Sequence, residues 1–124
     1  MGATLRYAKV IDREEHQRRG GGVRPSLPNR VQLTGAPPAD AAPFTLLRAW
    51  DDFDAFTETW RIVDPQGRTV RGPTSREVVA GQADLEDEVD DQLFEYADDG
   101  YQVVLEVDGR EVARVEFAVT ARAD

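Results

Sequence analysis

The sequence predicts an all-β fold, and three observations carry that prediction. Apolar residues alternate with polar ones at a spacing of two over several short stretches. Turn chemistry recurs between those stretches. No long segment holds an apolar stripe at helical spacing. The expected architecture is an antiparallel, immunoglobulin-like sandwich, with a small open β-barrel as the alternative. At 124 residues, 40% of them apolar, the chain has the size and the core material of one domain spanning residues 1–124.

The first strand is read over residues 3–11. Leu5, Tyr7 and Ile11 share one parity, with Ala8 and Val10 on the other, so both faces are partly covered. Residues 12–30 begin with charge (Asp12 to Arg19), continue through Gly20-Gly21-Gly22 and contain Pro25 and Pro28. One helical turn fits the first half, but no apolar stripe anchors it. The whole stretch is read as a long loop, with a short strand near Gly22-Val23-Arg24. A short strand follows at residues 31–34. Gly35, Pro37, Pro38 and Pro43 then exclude a helix and give a turn or linker.

Residues 44–50 form the next strand, with Phe44, Leu46 and Trp50 on one face. Asp51-Asp52-Phe53-Asp54 is a turn. In the strand at 55–63, Phe56, Trp60 and Ile62 point one way, and Thr57, Thr59 and Arg61 the other. Asp64-Pro65-Gln66-Gly67 carries the chemistry of a type I turn. A return strand starts at Arg68-Thr69-Val70, and residues 77–80 suit another short one. Residues 82–92 are an acidic run, read as a second long loop. In it Leu85 and Val89, four apart, allow at most an amphipathic turn. Ala97-Asp98-Asp99-Gly100 reads as a turn. The clearest element is the C-terminal hairpin. Tyr101, Val103, Leu105 and Val107 alternate with Gln102, Val104 and Glu106, Asp108-Gly109 suits a two-residue type I′ turn, and Ala113, Val115, Phe117 and Val119 alternate with Arg114 and Glu116 on the return.

The ending from Gly100-Tyr101-Gln102-Val103 through Asp108-Gly109 to Phe117-Ala118-Val119 resembles the last hairpin of bacterial immunoglobulin-like domains. Tyr7-Ala8-Lys9-Val10, Gly20-Gly21-Gly22-Val23 and Val63-Asp64-Pro65-Gln66-Gly67 extend the likeness. Together they resemble a family of short bacterial sandwich domains of unknown function. The likeness implies a fold and no activity. The chain departs from the antibody-type pattern in having no cysteine pair. Tyr101 also directly follows Gly100, rather than standing one residue later as in the usual tyrosine corner.

Charge and composition exclude several functions. A formal net charge of −9 repels phosphate backbones and anionic membrane surfaces, so neither nucleic acid nor membrane is an expected partner. With no cysteine, disulfides, thiolate catalysis and zinc–cysteine sites are impossible. No apolar window approaches the ~18 residues of a membrane span. The first residues lack an apolar run of secretory length, and cytoplasmic residence is the expectation.

Catalytic chemistry finds little support. Ser26 and Ser75 are the only serines, and neither sits in a nucleophile elbow. His16, the sole histidine, lies in a charged stretch and is expected to be exposed. Lys9, the sole lysine, reads as a snorkelling residue at a sheet edge. A metal site is the stronger alternative: Asp51, Asp52 and Asp54 crowd one turn and would supply oxygens to calcium. Arg18, Arg19, Arg24 and Arg30 make a basic island that either pairs with Glu14 and Glu15 or meets an acidic partner. Trp50 and Trp60 are expected in the core, and Phe53 as the exposed aromatic contact.

The leading functional expectation is a non-enzymatic, immunoglobulin-like binding or assembly module with no cofactor, acting through loops or an edge strand. Its partner would be a protein, with a basic patch suited to the acidic surface. Phe53, Arg18, Arg19 and Arg24 are the candidate contacts. A calcium- or carbohydrate-binding module using Asp51, Asp52, Asp54 and the nearby aromatics is the alternative. A small hydrolase ranks last.

Overall fold

A computed structural model describes residues 3–22, 27–81 and 84–121. The chain is all-β. Its strands are β1 (Thr4–Asp12), β2 (Arg30–Gln32), β3 (Ala39–Asp40), β4 (Phe44–Asp51), β5 (Phe56–Val63), β6 (Thr69–Val78), β7 (Asp84–Val89), β8 (Leu93–Phe94), β9 (Asp98–Val107) and β10 (Arg110–Thr120). One short helix, α1 (Arg13–Arg18), follows β1. Eight strands form a single sheet in the order β6-β5-β9-β10-β2-β1-β4-β7, and β3 and β8 pair separately.

The large sheet curls into a half-barrel. It is mixed and not wholly antiparallel, because the short β2 runs parallel to both β1 and β10. The curl brings β4 across the core from β5, with Trp50 and Phe56 in edge contact at 5.3 Å. The core is therefore two-layered, as in a sandwich, while β2 keeps the layers continuous, as in the open-barrel alternative. Alternation decides which residues enter: Phe44, Leu46 and Trp50 from β4, Phe56, Trp60 and Ile62 from β5, and Tyr101, Val103 and Leu105 from β9 are all buried.

The turn chemistry behaves as expected. Asp108 and Gly109 both have positive φ, at 51° and 82°, as a type I′ turn requires. Asp64 anchors the β5–β6 turn, its carboxylate accepting the N–H groups of Gln66 and Arg68 at 2.9 Å each. The Asp51–Asp54 turn does not close a hairpin, because β4 and β5 lie far apart in the sheet order. It carries the chain across one end of the core.

Several expectations need correction. Residues 13–18 are helical, because α1 is anchored by one buried histidine and needs no apolar stripe. His16 is buried, and its Nε2–H donates to the Gly22 carbonyl at 2.7 Å. Residues 84–89 form strand β7, so the acidic run is read at a period of two: Leu85 and Val89 are buried, and Asp84, Glu86 and Glu88 are exposed. Residues 98–100 begin β9, and Glu77-Val78 ends β6. Lys9 lies on β1, an interior strand in the sheet order, where it pairs with Leu47 of β4. The suggested strand near Gly22-Val23-Arg24 falls largely outside the described residues.

Strand β8 plugs one end of the half-barrel. Phe94 is buried, with its ring 4.8 Å from Tyr101 and 6.2 Å from both Phe44 and Phe117. The Tyr101 hydroxyl donates to the Tyr96 carbonyl and accepts the Tyr96 N–H, both at 3.2 Å. It thus ties the strand to the backbone upstream, as a tyrosine corner does, although its spacing from Gly100 is unusual. Burial pushes the Tyr101 phenol above its ordinary pKa, which keeps that donor protonated. Truncating the plug should leave a cavity. Phe94→Ala should cost about 3–5 kcal/mol in urea denaturation. The exposed neighbour should tolerate loss, with Leu93→Ala within about 0.5 kcal/mol of the parent.

Candidate functional site

Inside the curl the apolar core is interrupted by charge. Arg48 stands on β4 at the inward parity between Leu46 and Trp50, and Glu58 on β5 between Phe56 and Trp60. Both are fully buried. Arg48 Nε donates to Glu58 Oε2 at 2.8 Å, and a second guanidinium N–H reaches the other carboxylate oxygen. Arg48 Nη1 donates to the Leu46 carbonyl at 2.9 Å, and the Trp50 indole N–H to Glu58 Oε2 at 2.8 Å.

Asp87 of β7 completes the network. It accepts from Arg48 Nη2 and the Trp60 indole at 2.9 Å each, and from Arg76 of β6 at 3.2 Å. Two guanidiniums and two carboxylates thus neutralise each other, and two indoles fill remaining acceptor sites. The network spans the open side of the half-barrel, joining β4 and β7 to β5 and β6.

Two outer surfaces stand out among the described residues. The first is the free edge of β7, the last strand of the sheet. Its pairing with β4 runs from Phe44↔Val89 to Ala49↔Asp84 without a bulge. The opposite edge, β6, carries Pro73 and two register shifts against β5. The outward residues Asp84, Glu86 and Glu88 line the β7 edge. Arg13 pairs with Glu88 at 3.4 Å and with Asp90 at 2.7 Å.

The second surface is a polar cleft of about 770 Å³ between α1, β2 and the Ala42–Pro43 segment. Helix α1 is held there by Arg13 N–H donating to the Pro43 carbonyl at 2.9 Å. Asp12, buried at the cleft wall, accepts the Gln32 N–H at 3.1 Å. Burial pushes its carboxyl above the usual aspartate range, against the pull of that hydrogen bond.

The candidate residues divide among these places. Arg18 and Arg19 are exposed at the cleft, and Arg19 and Arg30 each pair with Glu15 at 3.4 Å, so the basic island is partly paired internally. Arg24 and Ser26 lie outside the described residues. Phe53 is partly buried, its ring 5.1 Å from Phe56, so it covers the core's end instead of standing free as a contact. Trp50 and Trp60 are core residues, as expected. Asp51 is bound by Arg6, whose hydrogen bond and charge hold it below the usual carboxylate range, while Asp52 and Asp54 face solvent. Among the described residues no three acidic or histidine side chains gather as a metal site. His16 and Ser75 are not brought together: the histidine binds Gly22, and the Ser75 hydroxyl lies 2.8 Å from that of Thr59.

No known family model or curated protein matches this chain. Its functional reading therefore rests on its own geometry.

The network itself went unread in the sequence, although parity marked two of its members. Arg48 shares the parity of Phe44, Leu46 and Trp50, and Glu58 that of Phe56 and Trp60, where a charge must find a buried partner. Two tests follow. Glu58→Gln strips the buried Arg48 of its principal counter-charge and should cost about 3–5 kcal/mol in urea denaturation. Arg76→Gln, at the partly exposed rim, should cost about 1 kcal/mol or less. For Asp12, a raised folded pKa means that ionisation opposes folding. The penalty is complete above the folded pKa and vanishes as pH falls below the unfolded one. Asp12→Asn retains an acceptor for Gln32, so its urea midpoint should exceed the parent's at neutral pH, with the advantage fading in acid.

Proposed function

We propose that this protein is a non-enzymatic binding module that takes a basic, extended segment of a partner protein along the edge of β7. One observation carries the reading: β7 is a regular, bulge-free edge strand whose outward residues are acidic at every second position. An added strand would pair its backbone with the open edge, and edge pairing of this kind is a recurrent mode of peptide recognition. Alternate side chains recur at about 7 Å along a strand, so lysine or arginine at alternate positions of the segment would meet Asp84, Glu86 and Glu88 in turn. The opposite edge is a poorer acceptor because Pro73 lacks an N–H and the register is broken. The net charge of −9 adds long-range attraction for such a partner.

The immunoglobulin-like affinity suggested by the C-terminal hairpin supports the same reading, since sandwich domains commonly work through edges and loops. The two-layered core and the Tyr101–Tyr96 tie are compatible with it.

The test is a titration of isotope-labelled protein with a peptide that alternates lysine and valine, followed by amide NMR. Saturable shifts should concentrate on residues 84–89 and weaken as salt rises. The exposed double variant Asp84→Lys, Glu86→Lys should fold normally and lose about tenfold in affinity (~1.4 kcal/mol). Shifts scattered over the surface, or an unchanged affinity in that variant, would refute the proposal.

A further inference from the structure

A further cleft, of about 400 Å³, opens between the start of β6, the β5–β6 turn and the chain on either side of β8. We propose that it binds a small organic cation, an ammonium carried on an aromatic or branched apolar body. The inference is independent of the β7 edge. One wall of the cleft is apolar. Among the described residues four large apolar side chains are exposed, and two of them, Leu93 at 51% and Tyr96 at 37%, line this cleft. Val70 of β6, partly buried, lines it as well. Exposed apolar surface gathered in a concave site with polar groups around it is the ordinary make-up of a ligand pocket.

The polar wall sets the sign of the charge. Asp64, Asp91 and Glu95 line it with a single guanidinium, that of Arg71. Arg71 is already engaged: its Nη2 donates to Asp91 Oδ1 at 3.2 Å and its Nη1 to Gln92 Oε1 at 3.3 Å. Gln92 is buried, and its Nε2 donates to the Leu93 carbonyl at 2.7 Å, so this corner is fixed before any ligand arrives. Asp64 and Glu95 are left without a close cation. Glu95 is exposed and forms no ion pair. Asp64 is 6% exposed, and its Oδ1 takes both N–H groups of the turn. Its Oδ2 has Arg68 Nε at 3.9 Å, beyond hydrogen-bond distance and on a largely exposed side chain. The charge is felt across the cleft. Burial chiefly, with the Asp64 and Asp98 charges added, holds the phenol of Tyr101, another lining residue, above its ordinary pKa.

These two walls call for one kind of ligand. The volume lies within the range of small-molecule pockets, about 300–1,000 Å³. An ammonium brings three N–H donors and no acceptor, which suits Asp64 and Glu95. An apolar body would cover Leu93 and Val70, and the Tyr96 ring offers its π-face to the cation or its edge to an aromatic ring. An anion of the same shape would meet three carboxylates. A bare small cation would leave the apolar wall wet, so charge and body must arrive together.

The experiment titrates isotope-labelled protein with phenethylammonium at matched ionic strength, and in separate arms with phenylacetate and with methylammonium. Phenethylammonium should give saturable amide shifts centred on residues 64, 70–71 and 91–96, and both other probes should bind at least severalfold more weakly. Tyr96→Ala keeps the backbone groups that hold the Tyr101 hydroxyl and should weaken binding by about fivefold. Glu95→Gln, at an exposed position, should weaken it severalfold. Circular dichroism would verify that each variant keeps the fold. Absence of saturable binding at millimolar concentration, or shifts centred elsewhere, would overturn the inference. So would phenylacetate or methylammonium binding as tightly as phenethylammonium, or an unchanged affinity in both variants. Failure here leaves the β7 reading untouched, because the shifts expected there lie on residues 84–89.

Discussion

Arg48 and Glu58 meet inside the curled sheet with no solvent to share, and removing both charges from water is costly. That cost is offset only when every lone pair and N–H nearby is used. The surrounding architecture meets this demand. Trp50 and Trp60 turn their indole N–H groups toward carboxylates, Leu46 lends a carbonyl, and Asp87 accepts three donors. An apolar substitute of equal volume would remove the desolvation cost, so the network's contribution is better sought in specificity than in raw stability. It fixes which residues of β4, β5, β6 and β7 stand opposite one another across the core.

The constraint is sharpest for β7. A one-residue slip against β4 would turn Asp87 to solvent, away from Arg48 and the Trp60 indole, and would expose Leu85 and Val89 with it. The strand's acidic composition is thereby divided into two roles. One carboxylate is spent inside, where it secures the strand to the far layer. The others face outward along a free edge. This division makes an acidic edge strand compatible with a packed core, and it presents charge on a firm backbone and not on a loop.

Local chemistry was legible in the sequence, and long-range pairing was not. The all-β class, the parity of β4, β5, β9 and β10, and the Asp108-Gly109 and Asp64–Gly67 turns could all be read because each rests on neighbours in the chain. Residues 84–89 misled because Leu85 and Val89 satisfy a spacing of four and a spacing of two equally well. Only the pairing with β4 decides between them. His16 misled for a related reason: its surroundings in sequence are charged, and its partner is a backbone carbonyl that no composition reveals. Of the basic island, the pairing with Glu15 was legible. The cleft shared by Arg19 and Arg30 required β2 to be placed beside the helix.

The tryptophan arrangement has a spectroscopic consequence. The chain has two tryptophans, and each indole N–H ends on a different carboxylate of the same network. Their two indole proton resonances therefore report separately on Glu58 and on Asp87, without any introduced label. A disturbance confined to β7 would move the Trp60 signal and spare that of Trp50. Opening of the whole interior would move both, so the chain carries its own gauge of where along the sheet a perturbation stops.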